Sequence, residues 1–427
     1  MKVLMFGWEF PPHISGGLGT ACFGLTRSLV DQNVHITFVL PRLKGGTTSS
    51  HVSLIGANEV VPELEDIEAM LPKDLLQIIP VDSMLSPYRT TTQYQQALKE
   101  LKEELERKVA AGELNVMDIS GDYASNLKEE VGRYAIVGKK LGGKIDFDII
   151  HAHDWMTYPA GVEAKRRSGK PLVVHVHATE FDRCGDNINT EVYEIEKYGM
   201  QQADRIIAVS HRTKQMVIEK YGIHPDKIVV VHNAVDKTTF VDPKKLFKIP
   251  GEKVVLFLGR ITQQKGPEFF VDAAKIVYDR MENVRFIMAG SGDMLPNMIE
   301  KVAFLGMQGR FHFTGFLRGT DIEKMYSVSD VYVMPSVSEP FGITPLEAIR
   351  HGVPCIVSKQ TGAAEILDDV IKVDFWDVNK LADSIISVLT QKDLALSMRE
   401  NGTKSLATIH WSNSATKVKQ IYEELCA

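Results

Sequence analysis

Short apolar runs rich in Val, Ile, Leu and Phe recur along this chain, and the longer stretches between them bring apolar residues back every three or four positions. The runs predict strands at Lys2–Phe6, His35–Leu40, Ile149–His153, Leu172–His177, Arg205–Ser210 and Ile228–Asn233. A second series is predicted at Val254–Gly259, Val284–Gly290, Arg310–Thr314, Val331–Pro335, Pro354–Ser358 and Ile371–Asp374. Several runs are apolar at every position rather than at alternate ones, which suits strands covered on both faces of a parallel sheet. The intervening lengths fit crossover helices, so the expected class is α/β with two doubly wound sheets.

The polar, proline-bearing segment Asp242–Glu252 separates the two series and is the expected domain boundary. In the first half, Gly45–Ser50 reads as a loop and Gln95–Gly112 as a charged, exposed helix. These belong to an insertion that either shapes a binding mouth or elaborates the surface. Trp411–Leu425 repeats apolar residues at a helical period and is expected to pack as a closing helix.

Composition narrows the function classes. The chain has 427 residues, 44% hydrophobic and 24% charged, which excludes disordered and fibrous classes. Lys+Arg 49 against Asp+Glu 55 gives a net charge of −6, which argues against bulk nucleic-acid or anionic-membrane binding. No apolar run reaches about 18 residues, and Met1–Phe6 leads into Gly7, Pro11 and Pro12 without a secretory core, so a cytoplasmic location is expected. Cys22, Cys184, Cys355 and Cys426 are scattered and suggest neither a zinc knuckle nor a disulfide framework.

Ligands of open α/β sheets sit beyond the carboxyl ends of strands, and five polar constellations fall there. Gly16-Gly17-Leu18-Gly19 matches neither dinucleotide nor Walker spacing; it is either a phosphate-approaching helix start or a plain flexible loop. His151 and His153 are read as pointing to opposite faces of their strand, which disfavours a shared metal, and Asp154 is the acceptor-facing candidate. His177 ends an apolar strand and is either a cleft-facing imidazole or a satisfied structural one. Arg260 and Lys265, five residues apart on a loop, make a clamp for a diphosphate or a solvated basic loop. In Ser338-Glu339-Pro340-Phe341-Gly342-Ile343-Thr344-Pro345-Leu346-Glu347-Ala348, a helix is expected near Pro345, with Glu347 two turns in. The amides around Gly342–Thr344 would face an anion; otherwise the string is a capping and surface-charge pattern.

With these residues in view, the chain resembles the retaining glycosyltransferases of the two-domain GT-B fold, especially glycogen/starch synthase-like and related family-4 enzymes. The carriers are GGLG at Gly16–Gly19, HAHDW at His151–Trp155, VHVHATE near His177 and HNAVD at His232–Asp236. In the second half they are GRITQQKG at Gly259–Gly266, AGSGD at Ala289–Asp293 and the Glu-x7-Glu string from Glu339 to Glu347. The resemblance implies an acceptor-side Rossmann-like domain over 1–245 with a helical insertion at about 57–135, a nucleotide-sugar domain over 246–410 and a closing helix over 411–427.

It also implies roles. Arg260 and Lys265 would neutralise the diphosphate, and Gly342, Ile343 and Thr344 would bind the distal phosphate through their amides. Glu339 would hold sugar hydroxyls, Glu347 the ribose and His177 the sugar's 6-hydroxyl. Gly16, Gly17 and Asn233 would complete the donor contacts, with Asp154 toward the acceptor. The implied partners are a UDP- or ADP-sugar donor and a glycan acceptor, with no nucleic acid, no membrane, no cofactor and no obligatory metal. Glucose transfer to an α-glucan leads; a small sugar, a sugar phosphate or a lipid-linked acceptor keeps the mechanism. A glycoside hydrolase or a non-catalytic sugar-nucleotide sensor is the remote reading. One departure stands out: glycogen synthases carry Lys-x-Gly-Gly-Leu, whereas here Ile14 holds the lysine's place.

Overall fold

The computed structural model describes residues 1–11, 16–43, 49, 51–60, 127–235 and 251–427. The expected helix at 95–112, most of the insertion at about 57–135, most of the Gly45–Ser50 loop, most of the Asp242–Glu252 boundary, and Pro12, Ile14, Ser15 and Asp236 lie outside the described residues.

Two parallel sheets are present, as the apolar runs predict. The strands of the first are β1 Lys2–Phe6, β2 His35–Leu40, β3 Ser53–Gly56, β4 Ile149–His153, β5 Leu172–Val176, β6 Arg205–Ala208 and β7 Ile228–Val230, in the order β3-β2-β1-β4-β5-β6-β7. Those of the second are β8 Lys253–Leu258, β9 Val284–Ala289, β10 Phe311–Gly315, β11 Val331–Met334, β12 Cys355–Ser358 and β13 Ile371–Val373, in the order β10-β9-β8-β11-β12-β13. Each sheet starts near its centre, winds outward, then reverses, so each has a topological switch point beside its first strand. Most strands end a residue or more before the apolar pattern does, because His177, Ser210, Gly259, Gly290 and Pro335 already belong to the loops that carry chemistry. β3 was not foreseen: it is a short edge strand, mostly half-exposed, with no continuous apolar run to announce it.

By their contacts, the described residues fall into two compact units: residues 1–176, 191–207 and 418–427, and residues 177–190 and 208–417. The second unit shows why two-sided burial reads as a continuous apolar run. Val255, Phe257, Phe286, Met288 and Val333 pack on one face against the helices Pro267–Arg280 and Val378–Thr390. Val254, Leu256, Ile287, Ala289 and Met334 pack on the other against Thr344–Arg350. Successive residues thus feed opposite cores, as the two-residue period of a strand requires. Among the described residues no helix is long and apolar enough to cross a membrane.

In the first unit, helices α1 Gly17–Val30, α2 Leu127–Lys144 and α3 Tyr158–Ser168 flank the sheet. Helices α2 and α3 touch backbone to backbone, and a Cβ at Gly138 would lie 2.2 Å from the Ala160 carbonyl oxygen. Gly138→Val should therefore force the two helices apart. The expected cost is about 1–3 kcal/mol, read as a lower urea midpoint with an unchanged m-value; an unaltered midpoint would contradict this packing.

Candidate active site

Apart from Gly16 and Gly17, the residues assigned to the donor gather in the second unit, and the glycine after Lys265 decides how. Beyond β8 the chain runs through Arg260 into a 3-10 turn, Gln263–Lys265, that ends in left-handed backbone at Gly266 (φ 64°). A Cβ there would meet the Pro335 carbonyl oxygen at 2.1 Å, so only glycine lets this turn lie against the end of β11. Gln264, buried in the turn, accepts from the Val337 amide through its backbone oxygen at 2.9 Å and from the Arg260 guanidinium through its side chain at 3.3 Å.

The turn thereby meets the loop after β11. There Lys265 Nζ forms an ion pair with Glu339 Oε2, with only 18% and 8% of the two side chains exposed. Glu339 is fixed from behind: its amide donates to the Gln360 carbonyl (3.0 Å) and its carbonyl accepts from Gly362 (2.9 Å). The resemblance assigned Lys265 to phosphate and Glu339 to sugar; the structure joins them to each other.

After Glu339 the chain turns at Gly342 (φ 92°) into a short helix, Thr344–Arg350. Among the described residues no hydrogen bond engages the amides of Gly342, Ile343 or Thr344 as donors. Glu347 sits in the first turn of this helix, which corrects the expectation of two turns; the helix begins at Thr344 and is only seven residues long. Burial pushes the Glu347 carboxyl up, against the hydrogen bond that Tyr326 donates to its Oε2 at 3.1 Å. Tyr332 supports the same turn by donating to Thr344 Oγ1 at 2.8 Å.

His177 follows β5 and lies in the same unit. Burial pushes its imidazole down to about 3, so it is neutral at ordinary pH and acts as a polar contact, not a cation. Its segment is held by α4, Glu180–Cys184, whose N-cap Thr179 and Asp182 form a reciprocal capping box. Asp182 Oδ1 also accepts from Ser338 Oγ at 2.6 Å, and Ser338 Oγ accepts from the Arg212 guanidinium at 3.1 Å. Helix α4 further packs on the Gln263–Lys265 turn, so the His177 segment, the cation turn and the Glu339 loop are fastened together. Asn233 is buried within the same unit, 7% exposed.

The other assigned residues lie in the first unit. Gly16 caps α1 in extended backbone and Gly17 opens it; an added Cβ at either would meet nothing within 4 Å. The fold itself does not require glycine there. Asp154 is buried and held at φ 61°, a left-handed conformation that Asp tolerates better than most residues, with its amide donating to the His175 carbonyl at 3.0 Å.

One reading is overturned. His151 and His153 do not face opposite ways: residues two apart on a strand share a face, and it is Ala152 that points away. Their rings lie 4.3 Å apart, with His175 at 5.4 and 5.2 Å, and the planes differ by only 15–29°. The three histidines form a buried triangle of nearly parallel rings, each with one ligand-type nitrogen within 4.8 Å of the others. His151 Nδ1 also bonds the Tyr422 hydroxyl.

Sequence reading missed Gln264, Asp182, Arg212, Tyr326 and Tyr332. Only Asp182 left a signal, since a Thr followed three residues on by an acid can form a capping box.

The fold and these residues define a GT-B glycosyltransferase, and comparison with known proteins gives the family. Residues 239–405 match the model for glycosyl transferases group 1, and residues 127–239 match that for glycosyltransferase family 4. The chain belongs to the family-4 GT-B glycosyltransferases and is an enzyme of that class. It is 28% identical to an uncharacterized glycosyltransferase of Methanocaldococcus jannaschii, covering 99% of this chain and 98% of the relative. It is 24% identical to a glycogen synthase of Mycobacterium tuberculosis, covering 99% and 94%. A sucrose-phosphate synthase of Thermosynechococcus elongatus shares the fold with a TM-score of 0.72 at 17% identity, covering 99% of this chain and 98% of that one. HepE of Anabaena, solved with UDP and glucose, does so with a TM-score of 0.67 at 17% identity, covering 99% of both chains.

A neutral His177 has a consequence for stability. Between pH 6.5 and about 3 the unfolded chain binds a proton at this position that the folded chain refuses, so stability rises with pH across that window and falls on acidification. The His177→Gln variant should lose about 1–2 kcal/mol less than the parent between pH 7 and pH 5 in urea titrations. Parallel pH profiles for the two proteins would contradict the buried, neutral assignment.

Proposed function

We propose that this enzyme is a retaining hexosyltransferase that moves glucose from UDP- or ADP-glucose to an α-glucan. The observation that carries the donor part is the Lys265–Glu339 pair, set beside Arg260 and a turn whose amides are unengaged. A diphosphate reaching this place would take Lys265 and Arg260 as its counter-charges and leave Glu339 to accept hydrogen bonds from sugar hydroxyls. The amides of Gly342, Ile343 and Thr344 would meet the distal phosphate, and Glu347, already half-engaged by Tyr326, would offer its other oxygen to the ribose. His177, neutral, would face the sugar's 6-hydroxyl, and Asn233, Gly16 and Gly17 would complete the donor contacts, with Asp154 toward the acceptor.

In the reaction, the bond between the anomeric carbon and the diphosphate oxygen breaks while the acceptor hydroxyl oxygen bonds to that carbon. Positive charge develops on the sugar and negative charge on the departing oxygens. Fixed cations aimed at those oxygens stabilise that state more than the ground state. Retention is assigned to attack on the same face, with the acceptor's proton passing to the leaving phosphate. The Arg260 and Lys265 charges make an obligatory divalent ion unnecessary in this reading. Overall resemblance to the glycogen synthase supports the glucan acceptor, and a cytoplasmic location goes with it.

A second reading changes the acceptor to a small sugar, a sugar phosphate or a lipid-linked glycan. Ile14, standing where glycogen synthases carry lysine, favours it. Labelled UDP- and ADP-glucose offered with glycogen should lengthen the polymer. Transfer only to small acceptors would support the second reading, and sedimentation of the enzyme with liposomes would point to the lipid-linked form. Release of free sugar from oligosaccharides without nucleotide would overturn both.

Arg260→Ala, which removes a guanidinium bonded only to Gln264 among the described residues, should lower kcat about 100-fold or more without loss of fold by circular dichroism. Glu347→Ala should instead raise the donor KM with a smaller effect on kcat. Near-parental turnover in Arg260→Ala would end the clamp assignment.

A further inference from the structure

Outside the donor residues, a second cluster of ligand-type side chains lies in the same unit. His211, His232 and Glu365 each offer one donor atom, and these atoms all fall within 4.8 Å of one another. We propose that His211, His232 and Glu365 form a binding site for a zinc-like divalent transition metal, with a fourth position open to water.

The donor chemistry fits. Two imidazoles and one carboxylate with an open position make a common ligand set for Zn²⁺, whose bonds to nitrogen and carboxylate oxygen run about 2.0–2.2 Å. Tetrahedral bonds of that length place donor atoms a little over 3 Å apart. His232 Nε2 and Glu365 Oε2 already stand 3.0 Å apart. His211 is exposed, and its donor atom lies within 4.8 Å of the other two. The two rings are inclined at 56° with centroids 5.8 Å apart, so their in-plane lone pairs are not held parallel.

The carboxylate is also oriented in advance. The helix His211–Tyr221 begins at this place, and Glu365 accepts from its first two amides: His211 N to Oε2 and Arg212 N to Oε1, both at 2.8 Å. Hydrogen-bonded ligating carboxylates are the usual arrangement behind a metal, because the outer partners fix the ligand's direction. His232 is fixed by its own backbone, whose carbonyl accepts from Ser414 Oγ at 2.6 Å. The Arg212 guanidinium is directed to Ser338, so its charge is engaged elsewhere. On binding, the metal takes the place of the proton that His232 Nε2 shares with Glu365, and the neutral ring then carries its single proton on Nδ1.

The site's place in the fold gives it a consequence. Glu365 ends the turn Gly362–Glu365, whose Gly362 amide holds the Glu339 carbonyl at 2.9 Å and whose Ala363 amide holds that of Phe341 at 2.7 Å. A bound ion would staple the helix His211–Tyr221, the His232 loop and this turn together behind the Glu339 loop. It would be a structural ion and not a participant in transfer.

The full-length protein, stripped with a chelator, should bind about one equivalent of Zn²⁺ by calorimetry. Co²⁺ in place of Zn²⁺ should give visible d–d absorption. The melting temperature should rise with Zn²⁺. His232→Ala and Glu365→Gln should each weaken binding by about tenfold or more. His211→Ala tests the same point while keeping the backbone amide that caps the helix, so it should fold normally yet lose affinity and the melting shift. Failure of the parent protein to bind Zn²⁺ at micromolar concentration would overturn the proposal, as would equal binding by the parent and His211→Ala together with His232→Ala.

Discussion

Opposite charges that are both largely withdrawn from water must be held together, and Lys265 and Glu339 are such a pair. Removing an ammonium or a carboxylate from solvent costs several kcal/mol per ion unless a partner and further hydrogen bonds compensate. The surrounding structure is arranged to keep that compensation. Gly266 lets the Lys265 turn approach Pro335, Gln264 ties the turn to the loop after β11, and Gln360 and Gly362 hold Glu339 from the other side. A lysine without these supports would swing into solvent, and the loop carrying Glu339 would lose its reason to be where it is.

The same pairing has a bearing on chemistry. In the proposed reading, a phosphate oxygen reaching Lys265 would offer the ammonium another anion and free Glu339 to accept from hydroxyls. The exchange replaces one compensated buried charge with another, so neither ion is left bare while a ligand is accommodated. Glu347 is handled differently: among the described residues no cation is bonded to it, and the Tyr326 hydrogen bond with the nearby Arg350 and His351 opposes the burial that raises its affinity for a proton. Two acids eight residues apart therefore have unlike environments, in keeping with the different groups they are assigned.

The fold was legible in the chain because strands buried on both faces leave an unbroken mark. Lys253–Leu258 and Val284–Ala289 carry apolar residues that feed two cores at once. The edge strand Ser53–Gly56 serves no such double core and left no mark. Within the site, Arg260, Lys265, Glu339 and Glu347 were legible because their spacing along loops after strands is particular. Asp182, Arg212, Tyr326 and Tyr332 were not, because each acts on a partner far along the chain, as Asp182 does on Ser338 and Tyr326 on Glu347. The misreading of His151 and His153 was different in kind, since the two-residue period already places them on one face.

By itself the sequence determined the α/β class, the two strand series and the residues that carry charge at their loop ends. Periodicity and residue type are local properties, readable within a few positions. Tertiary structure alone decided which polar side chains meet: Lys265 with Glu339, Arg212 with Ser338, His232 with Glu365. Such pairings depend on where a topology returns the chain after tens of residues, and a one-dimensional pattern holds no record of that distance.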